Sequence, residues 1–161
     1  MARMVCEQGL DALLPLRADR STVGPPLRAD RLAAVLREAE EQSERLWSLE
    51  LLAPQSARSV LGAAPPGRGL LATTRVGGLP LLAQQLAQID GLAGSATLTL
   101  AIGPEGGWSP EEIDIATRAG WLPVSLGPTI LRVSTAAVAG AAALVSWRLG
   151  FTYPSCSLPS P

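Results

Sequence analysis

The residues best suited to chemistry lie in Ile102–Ile113, IGPEGGWSPEEI. An apolar run ends in Gly103, Pro104, Glu105, Gly106 and Gly107. Ser109 then reads as a helix cap, Pro110 suits the first helical position, and Glu112 completes a capping box. Open α/β sheets bind ligands at the carboxyl ends of their strands. Glycines there let a ligand approach the backbone, and Glu105 would stand at the mouth of such a site. The spacing is neither GxGxxG nor a P-loop, which argues against a dinucleotide or a triphosphate. A tight connecting turn with no ligand is the other reading.

A second segment is SLGPTILRVSTAAVAGAAALVSW, Ser125–Trp147. A strand ends at Leu126-Gly127-Pro128, a loop follows, and Ser134-Thr135 opens a helix. That helix is apolar nearly all round and rich in Ala and Gly, so it needs cover on most sides, from its own sheet or from a partner subunit. A third group is Arg17, Arg20, Arg28 and Arg31, interleaved with Asp19 and Asp30. It is either a solvated loop or a guanidinium set for RNA phosphates or a target base.

The missing residue types narrow the chemistry. The 161-residue chain has no His, no Asn and no Lys, and its 13 basic residues are all Arg. Ser–His triads, His metal sites, Schiff-base lysines and P-loop lysines are excluded. Cys6 and Cys156 alone cannot build a zinc site. The net charge of −1 gives no global field for a polyanion, so any nucleic-acid contact must be local. The start of the chain shows no signal-peptide pattern, and the most apolar stretch, Thr135–Val145, runs about 11 residues against roughly 20 for a membrane span. A soluble cytoplasmic protein with free thiols is expected.

The elements that must position these groups follow from periodicity. A helix over Met1–Gly9 ends at Gly9, and Leu10–Leu16 is expected as one buried strand. Asp30 is expected to cap a helix over 31–45, with Glu41 and Arg45 paired and Leu32, Val35, Leu36, Ala39 and Leu46 inward. A short edge strand over 46–53, a helical turn over 55–62 and a strand over 70–74 follow. A helix over 79–89 would bury Leu81, Leu82, Leu86 and Ile89, and Gly91–Ser95 breaks the chain. Then come a strand over 96–102, a helix over 109–119, a strand over 122–126 and a helix over 134–148. The tail 151–161 is Pro/Ser-rich. Alternating strands and helices predict an α/β layer fold with a mainly parallel sheet in one domain, 1–150. The hexapeptide Pro15–Arg20 recurs as Pro26–Arg31 and is too short for a structural repeat.

Together, GPEGGWSPEEI with the following GW, SLGPTILR and the small-residue helix resemble the RsmE-type 16S ribosomal RNA uridine-N3 methyltransferases of the SPOUT, or α/β trefoil-knot, superfamily. EQGLDALLPLRADRST, LREAEEQSER and LATTR resemble further segments of that family, so the likeness runs from Met4 to Trp147. It implies a mostly parallel sheet with flanking helices and a C-terminal helix threaded through a loop. It also implies S-adenosylmethionine as cofactor, a homodimer packed through the knot, and 16S rRNA in the 30S subunit as partner, with no metal and no membrane.

Carried over by position, Ile102, Gly103, Pro104, Glu105, Gly106 and Gly107 form one wall of the cofactor site. Leu126, Gly127, Ile130, Leu131 and Arg132 form the other, and Leu71, Ala72 and Thr73 touch the methionine side. Arg20 and Arg132 are expected near the target base, with Glu105 orienting. Two departures qualify the likeness. The family's LR-Thr-Glu-Thr-Ala reads Leu131-Arg132-Val133-Ser134-Thr135-Ala136 here, without the carboxylate. The family's N-terminal PUA-like domain and first strand have no counterpart, so the chain reads as N-terminally truncated. A catalytically inactive knot-fold remnant that dimerises or binds RNA is the competing reading, and an unrelated α/β nucleotide-binding domain a third.

Overall fold

A computed structural model describes residues 1–22, 28–74, 76–89 and 97–152. The expected break at Gly91–Ser95, the first two residues of the second hexapeptide and the tail beyond Thr152 lie outside the described residues. The principal sheet holds β5 (Arg68–Ala72), β6 (Leu98–Ile102) and β7 (Leu122–Val124) in the order β6-β5-β7, all parallel. Leu71 is paired with Ala101 on one side and Pro123 on the other. α4 (Leu82–Ala87) links β5 to β6, and α5 (Pro110–Arg118) links β6 to β7. The α/β class with parallel pairing is as expected.

β5 is central because both of its faces are covered. Leu71 joins Ala101, Trp108, Ala116 and Trp121 under α5 and α3 (Ala57–Leu61). Its neighbour Leu70 points the other way, into a cluster with Leu82, Leu86, Ile89 and Val124. A strand buried on both faces reads as a continuous apolar run, as GLLA does. α6 (Val133–Thr152) lies against β6, and Gly140 sets how closely. A Cβ at Gly140 would stand 2.5 Å from Leu100 Cδ2, so any larger residue requires the Leu100 side chain to move.

The N-terminal part is a small layer of its own. α1 (Ala2–Glu7) packs on α2 (Ala29–Gln42), with Cys6, Leu36, Ala39 and Leu49 buried between them. The single buried strand expected over 10–16 is instead two half-exposed pieces. β1 (Ala12–Leu13) pairs with β3 (Glu50–Leu51), and β2 (Leu16–Arg17) pairs with β4 (Gln55–Ser56). Pro15, which has no N–H to give a ladder, separates them, while its carbonyl still accepts from Gln55 N–H at 3.0 Å.

Other local expectations fail for equally local reasons. Asp30 is not the cap of α2. It sits in the first turn, ion-paired to Arg28 at 3.1 Å, and Arg28 holds the cap position. α2 ends at Gln42, so Arg45 is not stacked on Glu41. It turns back and donates to the carbonyls of Cys6 (2.6 Å) and Leu10 (2.7 Å) at the end of α1, where a cation is favourable. Leu46 and Leu81, both expected inside, are 94% and 43% exposed.

α6 is longer than the expected helix. Its window Val133–Gly150 is long and apolar enough to cross a membrane by length and composition, yet here it is a domain helix laid on the sheet. Only 22% of that window is buried within the chain.

Candidate functional site

The three strands of the principal sheet end at the same edge, and the bends that follow them surround one cleft of about 390 Å³. This falls within the range of small-molecule sites, about 300–1,000 Å³. The β5 bend contributes Ala72, Thr73, Thr74 and Val76–Leu79. The β6 bend contributes Ile102–Glu105, Gly107 and Trp108. The β7 bend contributes Ser125–Leu131, and the start of α6 adds Val133 and Ala136.

Cross-links fix the three bends to one another. Ser125 N–H donates to Pro80 O at 2.9 Å, and Leu82 N–H donates back to Ser125 O at 2.8 Å. The Ser125 hydroxyl holds its own bend, donating to Gly127 O and accepting from Gly127 N–H. Trp108, 5% exposed, donates its indole N–H to Ala72 O at 2.9 Å and so ties the β6 bend to β5. Its ring fills the space beside Gly103, where a Cβ would meet Trp108 Cε2 at 3.0 Å. The turn itself closes through Gly107 N–H to Pro104 O at 2.8 Å, with Gly107 at φ +71°. L-residues are strained at that φ, which is why glycine stands there.

One polar group in the cleft is left without a partner. Thr73 is 5% exposed, and its hydroxyl oxygen has no hydrogen bond among the described residues. A buried orphan hydroxyl costs about 1–3 kcal/mol, a penalty that a ligand group placed against it would remove. Glu105 is exposed at the mouth and, among the described residues, is the one ionisable side chain lining the cleft. The lining is otherwise apolar, hydroxyl or bare backbone. It suits a compact organic ligand with an apolar ring and a few polar atoms. Among the described residues no group of three His, Cys, Asp or Glu side chains could hold a metal.

Most of the residues singled out in the sequence meet here. Ala72, Thr73, Ile102, Gly103, Pro104, Glu105, Gly107, Leu126, Gly127, Ile130 and Leu131 all line the cleft. Four do not. Leu71 is fully buried beneath it, in the core. Gly106 faces away, against Arg20, whose Cβ would lie 3.0 Å from an added Cβ. Arg132 is exposed ahead of α6, outside the lining. Arg20 is exposed behind the glycine turn, where its Nη1 donates to Gly106 O at 3.2 Å.

Sequence reasoning missed Thr74, Val76, Gly77, Gly78 and Leu79. The signal was present: VGGLP is a turn pattern following an apolar strand, like the two segments that were recognised. It also missed Trp108 and the group beside Arg20. Asp19 accepts from Arg58 (Nε 2.9 Å, Nη2 2.5 Å) and from the Ser109 hydroxyl at 2.7 Å. Arg58 first, and then Ser109, holds the Asp19 pKa at about 2, against an ordinary 3.8 and in spite of some desolvation.

Comparison with known proteins agrees with this architecture. The RNA methyltransferase domain family matches residues 1–145. The chain is 39% identical over 139 residues to ribosomal RNA small subunit methyltransferase E of Synechocystis, covering 83% of this chain and 44% of that one. It superposes with a TM-score of 0.80 on a probable rRNA-methyltransferase from Porphyromonas gingivalis, at 23% identity, covering 93% of this chain and 61% of that one. It also superposes with a TM-score of 0.76 on ribosomal RNA small subunit methyltransferase E from Neisseria gonorrhoeae bound to S-adenosyl methionine, at 29% identity. That match covers 90% of this chain and 58% of the other, so the chain spans about half the length of these relatives. On this match and on the fold, the chain belongs to the RNA methyltransferase domain family.

Proposed function

We propose that the chain transfers a methyl group from S-adenosylmethionine to N3 of a uridine in 16S rRNA of the small ribosomal subunit. The observation that carries the reading is the convergence of three strand-end bends on one cleft, with a Thr73 hydroxyl inside it that has no partner among the described residues. A relative of the same fold, 29% identical, is described as bound to this cofactor. When bound, the cofactor supplies a sulfonium methyl whose sulfur leaves as a neutral thioether. The chain's task is then mainly alignment.

In this reading the bare backbone of the glycine turn and of the 125–131 bend holds the nucleoside part, and Thr73 hydrogen-bonds a polar end. Uracil N3 must lose a proton. Glu105, with its exposed carboxylate beside the cleft, is assigned that proton or the water that carries it. Arg20 and Arg132 are assigned to RNA phosphates and to the uracil carbonyl oxygens, which guanidinium forks suit. α6 and the β7 bend belong to the threaded segment of a trefoil knot. Its apolar surface, largely uncovered within one chain, packs against a second copy. The work is done in the cytoplasm, where small subunits assemble.

Two measurements test the reading. Calorimetric titration with S-adenosylmethionine should give saturable binding near one equivalent. Gly103→Ala, which drives a methyl into Trp108, should weaken it at least about tenfold, roughly 1.4 kcal/mol. Transfer of labelled methyl into 30S subunits should then be seen with the unmodified chain and lost on combining Arg20→Ala with Arg132→Ala. Absence of cofactor binding would defeat the proposal. Binding without transfer would favour an inactive remnant, a reading to which the missing carboxylate at Ser134 lends support.

A further inference from the structure

Glu112 is fully buried and uses both carboxylate oxygens. One accepts Ser109 N–H at 2.8 Å, the ordinary reach of a capping box. The other accepts the backbone N–H of Asp19 at 2.9 Å, from a residue 93 positions away that immediately precedes Arg20. Asp19 answers with its own side chain, which accepts from the Ser109 hydroxyl at 2.7 Å and from Arg58 of α3. Arg20 closes the ring by donating to Gly106 O at 3.2 Å. A helix cap needs only the first of these bonds. The others fasten a distant loop to the back of the glycine turn whose front lines the cleft.

We infer that Asp19, Ser109, Glu112 and Arg58 are positioning residues that hold the Arg20 guanidinium behind the glycine turn, in fixed register with it, for contact with the RNA strand. Arg20 has five N–H donors, and its bond to Gly106 is the one it makes among the described residues. The residue is exposed, its backbone follows the pinned Asp19 N–H, and the bond to Gly106 O ties its guanidinium to the glycine turn. A long exposed Arg otherwise loses rotamer freedom when it engages a partner, and pre-setting it reduces that loss. Arg58 and Asp19 need not touch the substrate for this.

The inference rests on the reading of Arg20 as an RNA contact, and a double-mutant cycle separates the two. The dissociation constant for 30S subunits is measured for the unmodified chain, Asp19→Ala, Arg20→Ala and the double variant, with melting temperature and S-adenosylmethionine affinity as controls. Asp19 and Arg58 are on the surface, so Asp19→Ala and, as a second variant, Arg58→Gln should fold. Each should weaken 30S binding about fivefold with cofactor affinity unchanged, and Asp19→Ala should add nothing in the Arg20→Ala background. Nitrogen-15 relaxation at the Arg20 Nε should show an ordered side chain that loosens in Asp19→Ala. If Arg20→Ala leaves 30S binding unchanged, or the unmodified chain binds no 30S, the RNA-contact reading falls and the inference with it. If Arg20→Ala weakens binding but Asp19→Ala is equally harmful in both backgrounds, or Arg20 is as ordered without Asp19, the inference alone is overturned.

Discussion

Asp19 shows how much one side chain's neighbours can do. Its pKa is held at about 2 rather than 3.8, so the folded state binds its proton less readily than the unfolded chain does. The stabilisation is therefore complete above pH 3.8 and is lost as pH falls towards about 2. Urea unfolding at a series of pH values should show it: Asp19→Asn should flatten the fall in stability across that window and leave the curve above about pH 5 parallel to that of the unmodified chain. Parallel curves throughout would show that the Arg58 and Ser109 contacts do not form in solution. The sequence gives no hint of this role. Beside Arg17 and Arg20, Asp19 reads only as a neutralising charge, because the Ser109 hydroxyl it meets is 90 residues away.

At the scale of elements, what the sequence shows well is what is decided locally. The cap of α5 is one example: Ser109, Pro110 and Glu112 lie within a single turn, and the capping box forms as its spacing predicts. The end of α2 is a counterexample, since Arg45 is drawn off the helix by the carbonyls at the end of α1, a tertiary pull with no periodic signature. The packing of α6 is another non-local matter. Its many small residues suggest close approach, but only the structure identifies Gly140 as the point of contact. Gly140→Val should push α6 off Leu100 and lower stability by about 1–3 kcal/mol in thermal melts. Gly150→Ala, in the same helix but with open space around it, should be neutral or mildly stabilising. Equal effects of the two would mean that α6 does not rest on β6 at Gly140.

For the whole molecule, alternating strands and helices made the layer class legible, and two of the three bends around the cleft stood out by their glycines and prolines. The third, after β5, was missed because a short Gly-Gly turn looks like any connector until its neighbours are known. The strand order β6-β5-β7 cannot be read from the chain either, because a strand's neighbours are set by the crossovers rather than by its own residues. The helix that completes the cleft also faces outward: with 22% of its apolar window buried, α6 leaves a surface suited to a second copy. Sedimentation velocity should find a dimer, and Ala139→Arg, at an exposed position on α6, should shift it to monomer. A monomer at all concentrations would leave that surface unexplained.

The described lining of the cleft enters the chain in a fixed order, with residues from 72–79 first, then from 102–108, then from 125–136. During translation the central strand is therefore made before either of its neighbours, and the cavity gains its last wall only when Ala136 has left the ribosomal tunnel. A nascent chain stalled before Ser125 would carry the glycine turn but no enclosed space for a small molecule. Any chaperone-like effect of such a molecule on folding must then act after Ala136 has emerged.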